Sequence, residues 1–155
     1  MNSTMTLYHF TDERNIESIK ENGLISWHRL NIRKIVHYPA SNQLSRELDV
    51  RKNLQDYVHL TFNRNNPMAR RAEREGRIGK LVWLIIDEAA CKGNPSALYS
   101  DMNATANSAV ISDDPRTALA SGDSQREILM RESIEAKWIT FPIDYANVPV
   151  EELPW

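Results

Sequence analysis

Two strand-like runs on either side of one clearly delimited helix constrain the fold of this chain most. Residues 56–62 (DYVHLTF) alternate polar or aromatic side chains with apolar ones, as a strand with one buried face does. Residues 80–87 (KLVWLIID) are nearly all apolar, which predicts a central strand. Between them, Asn66 is a candidate N-cap, Pro67 occupies the first helical position and Gly76 ends the helix. This order predicts an α+β fold.

The flanking segments support the same fold class. Residues 6–10 (TLYHF) predict a short strand, and a helix follows with Asp12 as its N-cap candidate and Gly23 at its end. We expect a single domain over residues 1–155, built on a strongly bent, mostly antiparallel sheet with helices on its flanks. Further strands are predicted at 126–133 and 137–143, a long loop with short helical pieces at 27–53, and a polar loop at 112–123.

Composition excludes several classes of protein. With 41% hydrophobic and 26% charged residues, the chain has the make-up of a globular domain, and no apolar run approaches the roughly 20 residues that span a bilayer. The first residues show no secretory signal, and Cys91 is the only cysteine. We therefore expect no internal disulfide and a cytoplasmic location. The histidines at 9, 28, 37 and 59 lack the paired spacing of metal ligands, so we expect no metal site.

The net charge of −2 conceals two basic segments. Residues 29–52 and 63–80 each contain six Lys or Arg against two Asp or Glu. On the predicted helix, Arg70, Arg74 and Arg77 fall at i, i+4 and i+7, which makes one basic stripe suited to a phosphate backbone. A localised anion site and ordinary solvated helix faces both remain open at this point.

The stretch SQREILMRES (124–133) places a carboxylate at the mouth of a strand. Ile128 and Met130 can face a core, while Glu127, Leu129 and Arg131 share the opposite face. A strand-start acid that follows a long loop suits a cleft, although many solvated strands also begin with glutamate.

Five short motifs follow one another along the chain: YHFT near the start, NIESIKENGL, DYVHLTF followed by NPM, SDMNATA, and QRE opening the late strand. In this order they resemble the DarT family, bacterial NAD-dependent toxins that attach ADP-ribose to bases in single-stranded DNA. The resemblance runs from about residue 7 to residue 131. It implies an ADP-ribosyltransferase-like fold, NAD as the ADP-ribose donor, no metal, a single-stranded nucleic acid as acceptor and a macrodomain antitoxin as partner.

The resemblance assigns roles to individual residues. Glu127 is the expected catalytic residue, because a carboxylate can bond the nicotinamide ribose, stabilise its developing positive charge and accept a proton from the attacking base. Arg46 is the expected functional arginine, with Arg51 as the alternative near the NAD phosphates. The NAD-binding candidates are His9, Phe10 and Thr11 at the end of the first strand, Ser18 and Ser26 near the first helix, and Tyr57 as a stacking residue.

The expected nucleic-acid contacts follow the same resemblance. Met68 matches a family position beside the target base, and Gln125 and Arg126 lie where the loop meets the late strand. Asn65 and Asn66 stand where the family commonly has Arg-Ser; their amides could read a base edge and favour a purine over thymine. The stripe of Arg70, Arg74 and Arg77, which rests on helical spacing, is the remaining candidate for nucleic-acid contact. Asp101, Asn103 and Ala104 match a family segment and are expected to shape the loop before the late strand.

Three functional hypotheses stay open on the sequence. The first is a DarT-like ADP-ribosyltransferase that acts on a single-stranded nucleic acid, and we favour DNA over RNA as the acceptor because no residue is an evident reader of a 2′-hydroxyl. The second hypothesis keeps the NAD chemistry and moves the acceptor to RNA or protein. The third is a catalytically inactive nucleic-acid-binding relative.

Overall fold

The computed structural model describes residues 5–64, 66–92 and 94–145. Within them, the strands are β1 (Thr6–Asp12), β2 (Leu24–Ile25), β3 (Tyr57–Thr61), β4 (Leu81–Asp87), β5 (Leu98–Ser100), β6 (Ile111–Ser112), β7 (Glu127–Arg131), β8 (Ser133–Ile134) and β9 (Ile139–Thr140). The α-helices are α1 (Ile16–Asn22), α2 (Trp27–Ile32), α3 (Gln43–Arg51), α4 (Pro67–Arg74) and α5 (Arg116–Leu119). Short 3-10 helices span Glu13–Asn15, Glu88–Ala90, Ala136–Trp138 and Ile143–Tyr145.

An antiparallel sheet of seven strands forms the body of the described chain, in the order β6-β5-β7-β3-β1-β4-β9. A separate pair, β2 and β8, lies beside it. The prediction of an α+β fold with a mostly antiparallel sheet and flanking helices is therefore confirmed. Strand β7 pairs with β3 in a register that sets Glu127 opposite Thr61.

Two apolar clusters cover the two faces of β7. Ile128 and Met130 belong to the main core, together with inward-facing residues of the neighbouring strands and of α1. Leu129 belongs to a second cluster with Leu54 and Ala104. The predicted alternation is confirmed, and the second cluster explains why Leu129 is buried on the face that also carries the Glu127 side chain.

Local sequence signals determine the start of the 3-10 helix before α1, the end of α1 and the start of α4. Asp12 caps the short 3-10 helix that leads into α1, and Gly23 ends α1 with φ of +79°. A Cβ at Gly23 would lie 2.3 Å from the carbonyl oxygen of Ile134, so this position requires glycine for two independent reasons. Asn66 caps α4 by accepting a hydrogen bond from the Met68 amide at 2.8 Å.

Three segments differ from the sequence-based expectations. Residues 27–53, predicted as a long loop with short helical pieces, contain two helices, α2 and α3. The predicted polar loop 112–123 contains α5, a single turn too short to show a period. Helix α4 ends at Arg74, and Gly76 with φ of +76° turns the chain away, so the prediction that Arg77 continues the helical stripe is wrong.

No helix within residues 5–64, 66–92 and 94–145 is long and apolar enough to cross a membrane.

Candidate active site

A pocket of about 230 Å³ lies over β1, β3 and the first residue of β7. Helices α1, α2, α3 and α4 contribute its walls, and residues 37–41 form a further wall. Among the residues predicted for catalysis, NAD or nucleic acid, those that line it are His9, Phe10, Thr11, Ser18, Ser26, Tyr57, Asn66, Met68, Arg77 and Glu127.

Both oxygens of Glu127 are held. Its Oε1 accepts a hydrogen bond from the Ala104 backbone amide at 2.7 Å, and its Oε2 lies 3.0 Å from His59 Nδ1. The side chain is 10% exposed, so its orientation is fixed by these partners rather than by solvent. A buried carboxylate held in this way can stabilise positive charge and accept a proton.

His59 links Glu127 to Asp49 of α3. The strand register sets His59 opposite Leu129, which makes Glu127 its diagonal neighbour on the same face. His59 Nε2 lies 3.7 Å from Asp49 Oδ1, and Asp49 Oδ2 accepts from Trp27 Nε1 at 3.0 Å. Burial alone lowers the pKa of His59, but the carboxylates of Glu127 and Asp49 outweigh it and raise that pKa to about 9. His59 is therefore an imidazolium at neutral pH.

His9 lines the pocket beside His59 and, unlike His59, is uncharged. Burial, and the positive charge of His59, lower the pKa of His9. Its Nδ1 lies 2.9 Å from the carbonyl oxygen of His59, and because a carbonyl can only accept, Nδ1 carries the hydrogen. The neutral ring therefore has Nε2 as an acceptor, suited to an amide or hydroxyl of a ligand.

Residues 37–41 are fastened to the pocket by Asn15. Its Nδ2 donates to Thr11 Oγ1 at 3.0 Å and to the Tyr38 carbonyl at 2.9 Å, while its Oδ1 accepts from the Tyr38 amide at 2.8 Å. The Arg14 guanidinium lies over the Tyr38 ring at 4.0 Å. These contacts hold the wall without closing the pocket.

The predicted serine contacts are already engaged in local bonds. Ser26 Oγ caps α2, accepting from the Arg29 amide, and donates to Asp56 Oδ1 at 2.8 Å. Ser18 Oγ accepts from Asn22 Nδ2 at 3.3 Å. Both residues line the pocket, but the Ser26 hydroxyl serves the fold.

Of the three predicted arginines near the pocket, Arg77 alone lines it. Arg46 Nη1 donates to the Ser41 carbonyl at 2.7 Å and so fastens the 37–41 wall from α3. Arg51, at the end of α3, is exposed and lies outside the pocket lining. Arg77 Nε donates to the Ala40 carbonyl at 2.9 Å, and its Nη1 pairs with Glu75. Burial and the charges of Arg71 and Arg46 lower the pKa of Arg77.

The structure distributes the predicted nucleic-acid contacts over several places. Met68 lines the pocket and its sulfur accepts from Asn103 Nδ2 at 2.9 Å. Asn66 also lines it, with its Oδ1 used for the helix cap. Arg70 and Arg74 are exposed on α4. Gln125 and Arg126 lie outside the lining, the latter with its guanidinium 4.6 Å from the Phe62 ring, and Asn65 lies outside the described residues.

The loop after β5 is shaped as predicted. Asp101 Oδ1 accepts from the Val110 amide at 2.8 Å, and Asn103 Oδ1 accepts from the Thr105 amide at 3.0 Å. Lys52 adds a contact that the sequence did not indicate: its ammonium donates to the carbonyls of Ala104 and Ala106. Glu127 and Lys52 thus hold the same turn from two sides.

Sequence reasoning missed His59, Asp49, Asn15 and Tyr38. The signal for His59 was present, because alternation in DYVHLTF puts it on the face of Tyr57 and Thr61, and Glu127 opens the partner strand. Within residues 5–64, 66–92 and 94–145, no group of three or more His, Cys, Asp or Glu is arranged to hold a metal ion.

The sequence matches the family described as ssDNA thymidine ADP-ribosyltransferase, DarT, over residues 8–122. The chain belongs to the DarT family. The matched segment contains every wall of the pocket described above except Glu127, which follows its end. No curated protein matches the sequence at a significant level.

Solved DarT structures share the fold. The chain superimposes on Thermosipho africanus DarTG in complex with ADP-ribose with a TM-score of 0.71 and 20% identity, over 88% of this chain and 43% of that one. For Thermus sp. 2.9 DarT in complex with ADP-ribosylated ssDNA, the TM-score is 0.66 and the identity 17%, over 87% and 80% of the two chains. The same DarT in complex with NAD+ gives 0.64 and 16%, over 89% and 80%. The present chain thus spans less than half of the DarTG chain.

Proposed function

We propose that this protein is an NAD-dependent ADP-ribosyltransferase that modifies a base in single-stranded DNA, acting as a bacterial toxin. Membership of the DarT family supports the reaction, and the DarT structures with NAD+ and with ADP-ribosylated ssDNA share its fold. NAD is the ADP-ribose donor and no metal takes part. Both NAD and single-stranded DNA are found in the cytoplasm, where we place the activity.

The observation that carries this proposal is the fixed carboxylate of Glu127 in the pocket. In the reaction, the bond between the ribose anomeric carbon and nicotinamide breaks, and its electron pair leaves with neutral nicotinamide. A base nitrogen bonds the same carbon and gives up its proton. Glu127 faces the pocket with both oxygens oriented, so it can stabilise the cationic ribose and accept that proton.

The remaining pocket residues take binding roles in this proposal. Neutral His9 offers an acceptor nitrogen in β1, beside Phe10 and Thr11. Tyr57 supplies an aromatic ring for stacking. For the NAD phosphates, we propose Arg77 with Arg46 behind it, because Arg77 lines the pocket whereas Arg51 does not.

The base and the partner follow the family. Since Asn66 Oδ1 is occupied by the helix cap, a purine preference through Asn66 loses its support, and we propose thymidine, the base in the family description. Met68, at the start of α4, lines the pocket, and we propose that the base enters beside it. We propose a macrodomain antitoxin that removes ADP-ribose as the partner, and one domain over residues 1–155 for the activity described.

The test is incubation with labelled NAD and separate pools of single-stranded DNA, duplex DNA, RNA and protein. We expect label on single-stranded DNA, least on duplexes, whose bases must first leave the stack. Homopolymer oligonucleotides identify the base. Label on RNA or protein instead would move the acceptor, and no consumption of NAD would make the protein an inactive relative.

The variant Glu127→Gln tests the catalytic residue, because the glutamine side chain keeps the size and some of the hydrogen bonding of glutamate but loses its charge. We expect a loss of transfer of roughly 10²–10⁴-fold, typical of a missing acid–base group, with NAD affinity within several-fold of wild type. Glu135→Gln, an exposed glutamate paired with Lys137, serves as the control and should retain wild-type rates. Near wild-type turnover by Glu127→Gln would remove Glu127 from the mechanism.

A further inference from the structure

His59 touches the proposed catalytic group from the next strand. Its Nδ1 lies 3.0 Å from Glu127 Oε2, whose other oxygen is bonded to the Ala104 amide. His59 is thus the one charged partner of Glu127 among the contacts that the structure describes within hydrogen-bond distance. Its position between the acidic groups of Glu127 and Asp49 distinguishes His59 from a histidine that only packs in a strand.

The second nitrogen of His59 faces Asp49. His59 Nε2 and Asp49 Oδ1 are both buried and make no hydrogen bond within the described part of the chain, yet they lie 3.7 Å apart. This separation is too long for a hydrogen bond but short enough for an ion pair. In ligand-free sites such contacts are often long and tighten when substrate binds.

The charges around the ring favour the imidazolium. Glu127 of β7 and Asp49 of α3 face His59, while on β1 the neutral His9 donates to the His59 carbonyl. Lys52 acts on Asp49 from the end of α3 and forms no contact with the ring. Burial raises the pKa of Asp49, and removing the cation would leave two acidic groups facing each other without a positive charge between them.

We propose that His59, held by Asp49, is a positioning residue of the transfer reaction, and that its ring keeps the Glu127 side chain turned into the pocket. The inference rests on the proposed function. Glu127 takes the proton of the attacking base; His59 is already protonated and does not. His59 instead determines where the carboxylate lies.

Removing the imidazolium should shift the pH dependence of the activity in a direction that can be measured. Without the cation, the Glu127 side chain loses the positive charge of His59 while Asp49 stays nearby, so we expect the acidic limb of the activity profile to move to higher pH. A residue that served packing alone would lower activity without moving the limb.

The kinetic test compares pH–rate profiles of wild type, His59→Gln and His59→Leu on single-stranded DNA. We expect kcat near neutral pH to fall on the order of 100-fold, as for a catalytic group misplaced by about 1 Å, with KM for NAD changed by no more than several-fold. We expect both acidic limbs at higher pH, and the Gln variant, which keeps a donor, to be the more active. His28→Gln is the control, because His28 is outside the pocket lining.

A titration of the wild-type protein tests the charge directly and needs no activity. With isotope-labelled imidazoles followed by NMR, the His59 ring should titrate near the pKa of about 9 and fall toward its ordinary value in Glu127→Gln. Unmoved acidic limbs in both His59 variants, or a His59 ring that titrates near 6.5 in wild type, would overturn the inference. If wild type modifies no DNA, the proposed function fails, and the titration alone decides the charge state of His59.

Discussion

Asp12 joins the end of β1 to the segment that follows α4. Its Oδ1 accepts from the Arg14 amide and guanidinium, and its Oδ2 accepts from the Arg14 guanidinium and the Gly79 amide. The side chain is fully buried. The bond to Arg14, assisted by these amides, outweighs burial and lowers the pKa of Asp12 from 3.8 to about 2. Arg14 in turn stacks on Tyr38, so this carboxylate also supports a pocket wall.

We expect Asp12→Asn to destabilise the protein by about 2 kcal/mol at pH 7, the free energy that corresponds to this pKa shift. A depressed carboxyl pKa contributes stability above its ordinary value and loses it as pH falls through the folded one. The difference between wild type and variant should therefore be full above about pH 4 and shrink toward pH 2. Urea unfolding at several pH values measures it. Asp114→Asn, which removes an exposed ion pair with Arg116, is the control and should change stability far less than Asp12→Asn.

The sequence predicted single residues unevenly, for a physical reason. Caps and stops at Asp12, Gly23 and Asn66 depend on neighbours along the chain, so their signals are local. The partnership of His59 with Asp49 depends on how a helix lies over a strand. The alternation of residues 56–62 predicted which face of the strand carries His59, but it did not predict which element packs over that face.

Helix α4 is the element on which the nucleic-acid hypothesis now depends. Met68 and Asn66 at its start line the pocket, and Arg70 and Arg74 lie exposed one turn apart along it. The predicted third member of the stripe, Arg77, leaves the helix after Gly76 and bonds the Ala40 carbonyl. The helical spacing predicted from the sequence is therefore correct for Arg70 and Arg74. Gly76, which the sequence already indicated as the end of the helix, explains why it fails for Arg77.

We expect Arg70→Gln/Arg74→Gln to weaken binding of single-stranded DNA and to flatten its salt dependence. With roughly −0.7 per phosphate contact for single strands, two lost contacts change the log–log slope by about 1.4. NAD binding should be unaltered, because neither arginine lines the pocket. Arg116→Gln/Arg131→Gln removes two arginines from other elements and serves as the control. An unchanged slope in the α4 variant would place the DNA elsewhere.

At the scale of the whole molecule, the site forms only when distant segments meet. β1, β3 and β7 bring His9, His59 and Glu127 together, and α3 adds Asp49 across them. The order of short motifs, through its resemblance to the DarT family, predicted the fold and put Glu127 at the start of a strand, where the structure has it lining the pocket; its catalytic role stays a prediction. The walls of the pocket were predicted less well, because residues 27–53 show no sustained period. Their placement depends on tertiary hydrogen bonds such as those between Asn15 and Tyr38.

Toxicity follows from the chemistry if the proposed function is correct. ADP-ribose on a base is bulky and charged, and on a pairing edge it prevents the hydrogen bonds that replication reads. Each adduct is covalent, so damage accumulates with time even at a modest rate. We therefore expect expression of the wild type in bacteria to arrest growth and to leave adducts in genomic DNA. Glu127→Ala should relieve both at equal protein level, whereas Glu135→Ala should not. Harmless wild type at a level where the purified protein modifies DNA would contradict the toxin role while leaving the enzyme activity intact.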